Sequence, residues 1–219
     1  MNHLAIFDCD GTLVDSQVNI CLAMEDSFAR SGLAAPDRHA IRRVVGLSLL
    51  EAVHMLAPEV EPALKAQLAE DYKTAFQRLR GKGLIEEPLF EGITETLAAL
   101  EDAGWLLGVA TGKSDRGLAH CLEHHGIAGR FVTLQTADRH PSKPHPSMIH
   151  QAMADAGAMP ETTLMIGDTA FDIGMAIAAG TTAVGVAWGY HEPHELFAEG
   201  AHHVAEIPGD IVAIAAGVR

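Results

Sequence analysis

Leu4-Ala5-Ile6-Phe7 is an apolar run too short for an ordinary helix, and it breaks directly into Asp8-Cys9-Asp10-Gly11-Thr12. A short apolar run closed by a turn signal reads as a buried strand. Side chains two residues apart on a strand face the same way, so Asp8 and Asp10 are placed to meet one ligand, and Gly11 lets the backbone turn sharply beyond them. Two carboxylates this close at the tip of an apolar strand repel each other unless a cation lies between them or one holds a proton. A D-x-D-G-T string is also an ordinary strand-to-turn junction, since Asp and Gly are common turn residues. The rest of the chain has to decide between the two readings.

Beyond Ser16 the period changes. Val18, Cys21, Leu22, Met24, Phe28 and Ala29 recur at three- and four-residue spacing and stop at Ser31-Gly32, which predicts a helix. A second helical stretch is expected from Asp37 to Ala57, interrupted near Gly46-Leu47-Ser48, and a third from Glu61 to Arg80. No convincing strand occurs before Glu87, so residues 16–87 read as an all-helical insert. From Gly92 onward helix and strand alternate: a helix from Thr94 to Ala103, strand Trp105 to Ala110, a helix from Asp115 to His125, strand Phe131 to Leu134, a helix from Ser147 to Ala156, strand Thr163 to Ile166, a helix to Ala179 and strand Thr182 to Val186. Alternating βα units predict an α/β fold, a Rossmann-like parallel sheet with helices on both faces, with ligands at the carboxyl ends of its strands.

Composition limits the partners. Fifteen Lys and Arg against 29 Asp and Glu give a formal net charge of -14 over 219 residues, which opposes nucleic acid and anionic membranes. An anionic substrate must then be held by local positive groups or a metal. There is no basic segment followed by an apolar stretch at the start, and no apolar run of roughly 18 residues; the expectation is a cytoplasmic protein. Cys9, Cys21 and Cys121 lack metal-type spacing and leave an odd thiol under any pairing, so they are expected to be reduced. The thirteen histidines form no ligand pattern and are expected in surface or packing roles.

Several predicted strand ends carry polar residues that an apolar core does not require. The first presents Asp8 and Asp10, the second Thr111, and a later one Gly167-Asp168 with Asp172 four residues on. Asp168 and Asp172 share a face if a helix starts between them. Acidic positions converging on a small space suit Mg²⁺, a hard ion that prefers oxygen ligands. Taken singly each has a plainer role: Asp168 as a helix N-cap, Thr111 as a capping hydroxyl, Lys143 as loop decoration.

The four short motifs together resemble those of the haloacid dehalogenase-like hydrolase superfamily: F-D-C-D-G-T-L-V-D-S, A-T-G-K at Ala110 to Lys113, Lys143 in S-K-P-H-P, and G-D-T-A-F-D at Gly167 to Asp172. Their order and spacing frame almost the whole chain, and the helical insert resembles the cap of the subgroup that contains phosphoglycolate phosphatases, β-phosphoglucomutases and 2-haloacid dehalogenases. The resemblance implies a hydrolase core of residues 1–15 and 88–219 with a cap of residues 16–87. It implies that Asp8 attacks phosphorus to form an aspartyl-phosphate, and that Asp10 protonates the leaving alcohol and then activates water. Mg²⁺ would be bound by Asp8, the backbone carbonyl of Asp10 and Asp168, with Asp172 supporting the site. Thr111, the N–H of Gly112 and Lys143 would hold the phosphoryl oxygens, with Gly11 and Thr12 beside them.

Within the family, Asp10 argues against dehalogenation, which needs no acid for a leaving alcohol. β-Phosphoglucomutases, aligned without gaps from the first motif, carry a His at the place of Ile20 and an Arg at the place of Leu49, so mutase activity is disfavoured. Arg42-Arg43-Val44-Val45-Gly46-Leu47-Ser48 is the expected substrate-reading segment of the cap, with Arg43 and Gly46 as contacts; its arginines equally suit a solvated helix face. The expected function is a Mg²⁺-dependent phosphatase of a small phosphorylated metabolite such as phosphoglycolate, monomeric or dimeric, with no nucleic-acid or membrane partner. The alternatives are a phosphomutase, a pyrophosphatase and a non-catalytic phosphate- or partner-binding module.

Overall fold

The computed structural model describes residues 2–218. Strands β1 (Asn2–Phe7), β2 (Trp105–Thr111), β3 (Phe131–Thr136), β4 (Ala158–Gly167), β5 (Thr182–Val186) and β6 (His203–Ala205) form one sheet in the order β3-β2-β1-β4-β5-β6. Every adjacent pair is parallel. The period of two in β1 explains why the sheet is covered on both sides. Ala5 and Phe7 join one core, against α5 (Ile93–Asp102), α6 (Asp115–His124) and α10 (Pro208–Gly217). Leu4 and Ile6 join the other, against α7 (Ser147–Ala156), α8 (Ala170–Ala179) and α9 (Pro193–Glu199). Asp8 continues the parity of Ile6 toward the α7–α8 side, whereas Cys9 packs in the Phe7 core.

Because β1 lies between β2 and β4, the strand ends predicted to carry chemistry emerge side by side. Phe7 pairs with Val109 on one side and Ile166 on the other, and the Asp8 N–H donates to the Ile166 carbonyl at 2.8 Å. This is the point at which the strand order reverses, where open parallel sheets bind ligands.

Between β1 and β2 the chain forms helices α1 (Gln17–Arg30), α2 (Arg38–Arg43), α3 (Leu49–Leu56) and α4 (Pro62–Gly81). They bury a core of their own, with Ile20, Met24, Phe28, Ile41, Val53 and Leu68 all under 9% exposed. Asp37 caps α2, its carboxylate accepting the His39 and Ala40 N–H groups, and the expected break at Gly46 separates α2 from α3.

Two readings of the sequence fall short. The strand expected over Thr163 to Ile166 begins at Ala158, and β3 runs on to Thr136. Helices α9 and α10 and strand β6 were not anticipated: β6 is three residues long and draws its pairing from β5, too little for a local pattern. Among the described residues no helix is long and apolar enough to cross a membrane.

Candidate active site

Asp8 leaves β1, Asp168 follows β4, and Asp172 sits in the first turn of α8, and all three are fully buried. One carboxylate oxygen from each lies within 4.8 Å of the others. Lys143, reached by the loop before α7, also has no exposure; its Nζ lies 2.6 Å from Asp172 Oδ1 and 2.9 Å from Asp8 Oδ1. The Lys143–Asp8 contact is close enough for an ion pair but not aligned for a hydrogen bond, so both Asp8 oxygens are buried without a hydrogen-bond partner.

The other two acids are held firmly. Asp168 Oδ1 accepts from Thr12 Oγ1 at 2.9 Å, and Oδ2 accepts from the Tyr190 N–H at 2.9 Å. Asp172 Oδ2 accepts the N–H and the hydroxyl of Thr169, at 3.1 and 2.7 Å, and so closes the N-terminus of α8. The capping role expected of Asp168 thus falls to Thr169 and Asp172. Gly11 is required twice over: its φ is +86°, and a Cβ there would stand 2.2 Å from Asp168 Oδ2.

Fully ionised, three carboxylates against one ammonium would carry an excess of two negative charges among buried side chains. Burial, opposed mainly by Lys143, pushes the Asp8 carboxyl up to about 7. Burial and then the neighbouring Asp172 and Asp8 charges hold Asp168 well above the usual carboxylate range. Such a cluster suits a divalent ion with oxygen ligands, which relieves the repulsion that raises these carboxyls. Asp8, with both oxygens unsatisfied, is the member best suited to bind directly.

Asp10 does not join this cluster. Its Oδ1 accepts from the Ser16 hydroxyl and lies 2.8 Å from Lys113 Nζ, which also reaches Glu87 Oε1 at 2.8 Å. The Asp10 carboxylate is thus committed away from the other three acids. Thr111 ends β2, 1% exposed, its Oγ1 accepting the Lys113 N–H. Gly112 lies under the insert: a Cβ there would stand 2.4 Å from the Leu47 carbonyl oxygen and 2.7 Å from that of Gly46. The Ser48 N–H donates to Ser142 Oγ at 2.8 Å, so the loop between α2 and α3 spans both the second and third motifs.

Arg43, expected to read the substrate, is turned away. Its guanidinium makes a two-pronged pair with Glu195 of α9 at 2.6 and 2.7 Å and is not among the residues that line the cavity beside Asp10. Gly46 does line it. His191, 4% exposed, accepts the Ala170 N–H on Nδ1 and meets the Arg43 carbonyl with Nε2 at 3.2 Å. Nothing in the local sequence marks Glu87, Tyr190, His191 or Glu195 as part of this region; Lys113 alone was visible, as the last residue of the second motif.

Residues 5–186 match the family model described as haloacid dehalogenase-like hydrolase. The chain belongs to the haloacid dehalogenase-like hydrolases. Within this family it is 37% identical over 220 residues to a Dickeya dadantii protein named probable phosphatase IndB, covering 98% of this chain and 94% of the other. It is 30% identical over 211 residues to a phosphoglycolate phosphatase of Vibrio vulnificus, covering 93% and 91%. Among solved structures it is similar to one titled a predicted phosphatase from Clostridium acetobutylicum, with a TM-score of 0.87, 25% identity and 99% of each chain covered.

Proposed function

We propose that the chain is a Mg²⁺-dependent phosphatase that hydrolyses a small phosphomonoester through an aspartyl-phosphate on Asp8. The observation that carries the reading is the buried Asp8–Asp168–Asp172 cluster with Asp8 unsatisfied on both oxygens. The relatives named above support it, and the name of the Vibrio vulnificus protein makes phosphoglycolate the reference substrate.

An Asp8 oxygen attacks phosphorus, the ester P–O bond breaks, and its electron pair goes to the leaving oxygen, which takes a proton from Asp10. Asp10 then removes a proton from water. The water oxygen attacks phosphorus, and the bond to Asp8 breaks to give orthophosphate and the free carboxylate. Asp8, Asp168 and the Asp10 carbonyl would hold Mg²⁺, whose charge when bound offsets that on the phosphoryl oxygens. Lys143, Thr111 and the Gly112 N–H serve the same oxygens, which is the main demand of phosphoryl transfer, and Asp172 keeps Lys143 in place. Residues 16–87 act as a cap that opens to admit substrate, because Asp8 is 0% exposed, and closes to exclude water. A cytoplasmic location fits a substrate drawn from phosphorylated metabolites.

Asp8→Asn tests the covalent route. Phosphate release is expected to fall by at least about a thousandfold, and acid-quenched wild-type enzyme to carry a phosphoryl group on the peptide containing Asp8. Normal turnover by the variant would defeat the mechanism.

A further inference from the structure

Asp10 borders a cavity that Asp8 does not reach. The space, about 470 Å³, lies between the helical insert and the carboxyl edge of the sheet, and Ile20, Met24, Val45, Leu49, Tyr72 and Phe76 contribute to its walls. In the reaction proposed above, Asp10 protonates the leaving oxygen. The chamber on its side therefore receives whatever departs with that oxygen.

Two features of the chamber describe that group. The first is size: cavities of roughly 300–1,000 Å³ enclose drug-sized molecules, and a two-carbon acid such as glycolate would leave most of this one empty. The second is surface. The chamber does contain cations, but the least exposed one, Lys113, is committed, and the others are at least partly exposed. Lys113 is 2.8 Å from both Asp10 and Glu87. Arg80 is 3.9 Å from Glu87 and lies over the Phe76 ring, 5.5 Å from its centroid. Lys73 pairs with Glu70 on an exposed helix face, and Arg116 is exposed. Asp138 also lines the chamber, and a second carboxylate carried into it would lose its hydration and find the least exposed cation, Lys113, already held between two carboxylates. An apolar body gains on both counts, leaving water and meeting a preformed wall in which the Tyr72 and Phe76 rings lie 5.8 Å apart.

We propose, on the phosphatase reading above, that the preferred substrate is a phosphomonoester whose alcohol carries an apolar ring seated against Ile20, Met24, Val45, Tyr72 and Phe76, and that phosphoglycolate is a poor substrate. Ile20 and Leu49, where the mutases carry His and Arg, are part of this apolar lining.

The test compares kcat/KM for ethyl phosphate, 2-phenylethyl phosphate and phosphoglycolate with Mg²⁺ present; the first two have leaving groups of similar acidity. The phenylethyl ester is expected to lead the other two by roughly tenfold or more, and Phe76→Ala to bring its lead over ethyl phosphate below about threefold. Leu49→Gln, at a half-buried wall position, gives the same readout if Phe76→Ala does not fold. Equal values for the two alkyl esters, a lead for phosphoglycolate, or a ratio unchanged in a folded variant would overturn the assignment of the leaving group and leave the phosphatase reading standing. No phosphate release from any of the three would overturn both.

Discussion

Lys113 grips Asp10 from the side: its Nζ stands 2.8 Å from Asp10 Oδ1, with the two side chains only 9% and 10% exposed. The same ammonium lies 2.8 Å from Glu87 Oε1, so the acid proposed for the leaving group is tied to the segment by which the chain returns from the helical insert. Asn19 and His125 fasten that segment too, through the carbonyls of Glu86 and Glu87.

Removing this cation leaves two buried carboxylates face to face. Lys113→Met is expected to cost about 3 kcal/mol in urea unfolding. Adding Glu87→Gln should recover about 1 kcal/mol or more, since the two positions are coupled through one contact. Simple additivity of two losses would show that the triad is not an electrostatic unit.

On the proposed reading, the negative charge around Asp8 should make folding stability depend on Mg²⁺. At free Mg²⁺ near 100 times its dissociation constant, unfolding should become harder by about 2.7 kcal/mol, seen as a rise in Tm that EDTA reverses. Asp168→Asn should abolish the rise while the protein remains folded. A full shift in that variant would place the ion elsewhere.

Gly112→Ala isolates the seating of the cap. A Cβ would stand 2.4 Å from the carbonyl oxygen of Leu47 and 2.7 Å from that of Gly46, and these are backbone atoms that cannot swing aside. The loop must lift, so X-ray scattering should give a larger radius of gyration than wild type, and kcat/KM should fall by about tenfold or more because water reaches the site. An unaltered scattering profile with full activity would mean that the loop does not seat on this residue during turnover.

The Arg43–Glu195 pair closes the far side of the insert against α9. Hydrogen bonds from Arg43, and then the Glu192 N–H, lower the Glu195 carboxyl to about 2. A depressed carboxyl contributes stability above its unfolded value near 4.5 and loses it as the pH falls through about 2. Glu195→Gln should therefore be less stable than wild type at pH 6 and approach it as the pH falls through and below about 2, as read by denaturant unfolding. With side chains 33% and 28% exposed, the pair is worth about 1 kcal/mol or less, weak enough to permit the proposed opening of residues 16–87. A difference that grew on acidification would have the wrong sign.

Much of the proposed site was visible before the fold. Asp8 and Asp168 each follow a strand that is apolar on both faces, so a carboxylate at its end has no packing reason to be there. Lys143 stood in a motif, although its loop gave no hint that the ammonium would be wholly buried between two acids. Arg43 misled because a helix of six residues, Arg38–Arg43, carries too little pattern to tell which face meets the sheet; Glu195, 152 residues away, decided its direction. Glu87 was equally silent, since its partner lies 26 positions on. Tyr72 and Phe76 fall inside the helical stretch expected from Glu61 to Arg80 and became cavity walls only when α4 was laid against the second motif.

Local pattern thus determined the strand parity that sends Asp8 and Phe7 to opposite faces, the helical character of the insert and the residue types available at each strand end. Those properties depend on neighbours within a few positions, and a sequence records them directly. The tertiary structure decided which charges are paired, which carboxylate is left unsatisfied and how large a chamber lies beside Asp10. These follow from contacts between segments distant along the chain, where ångström differences in approach determine whether a charge is met or left bare.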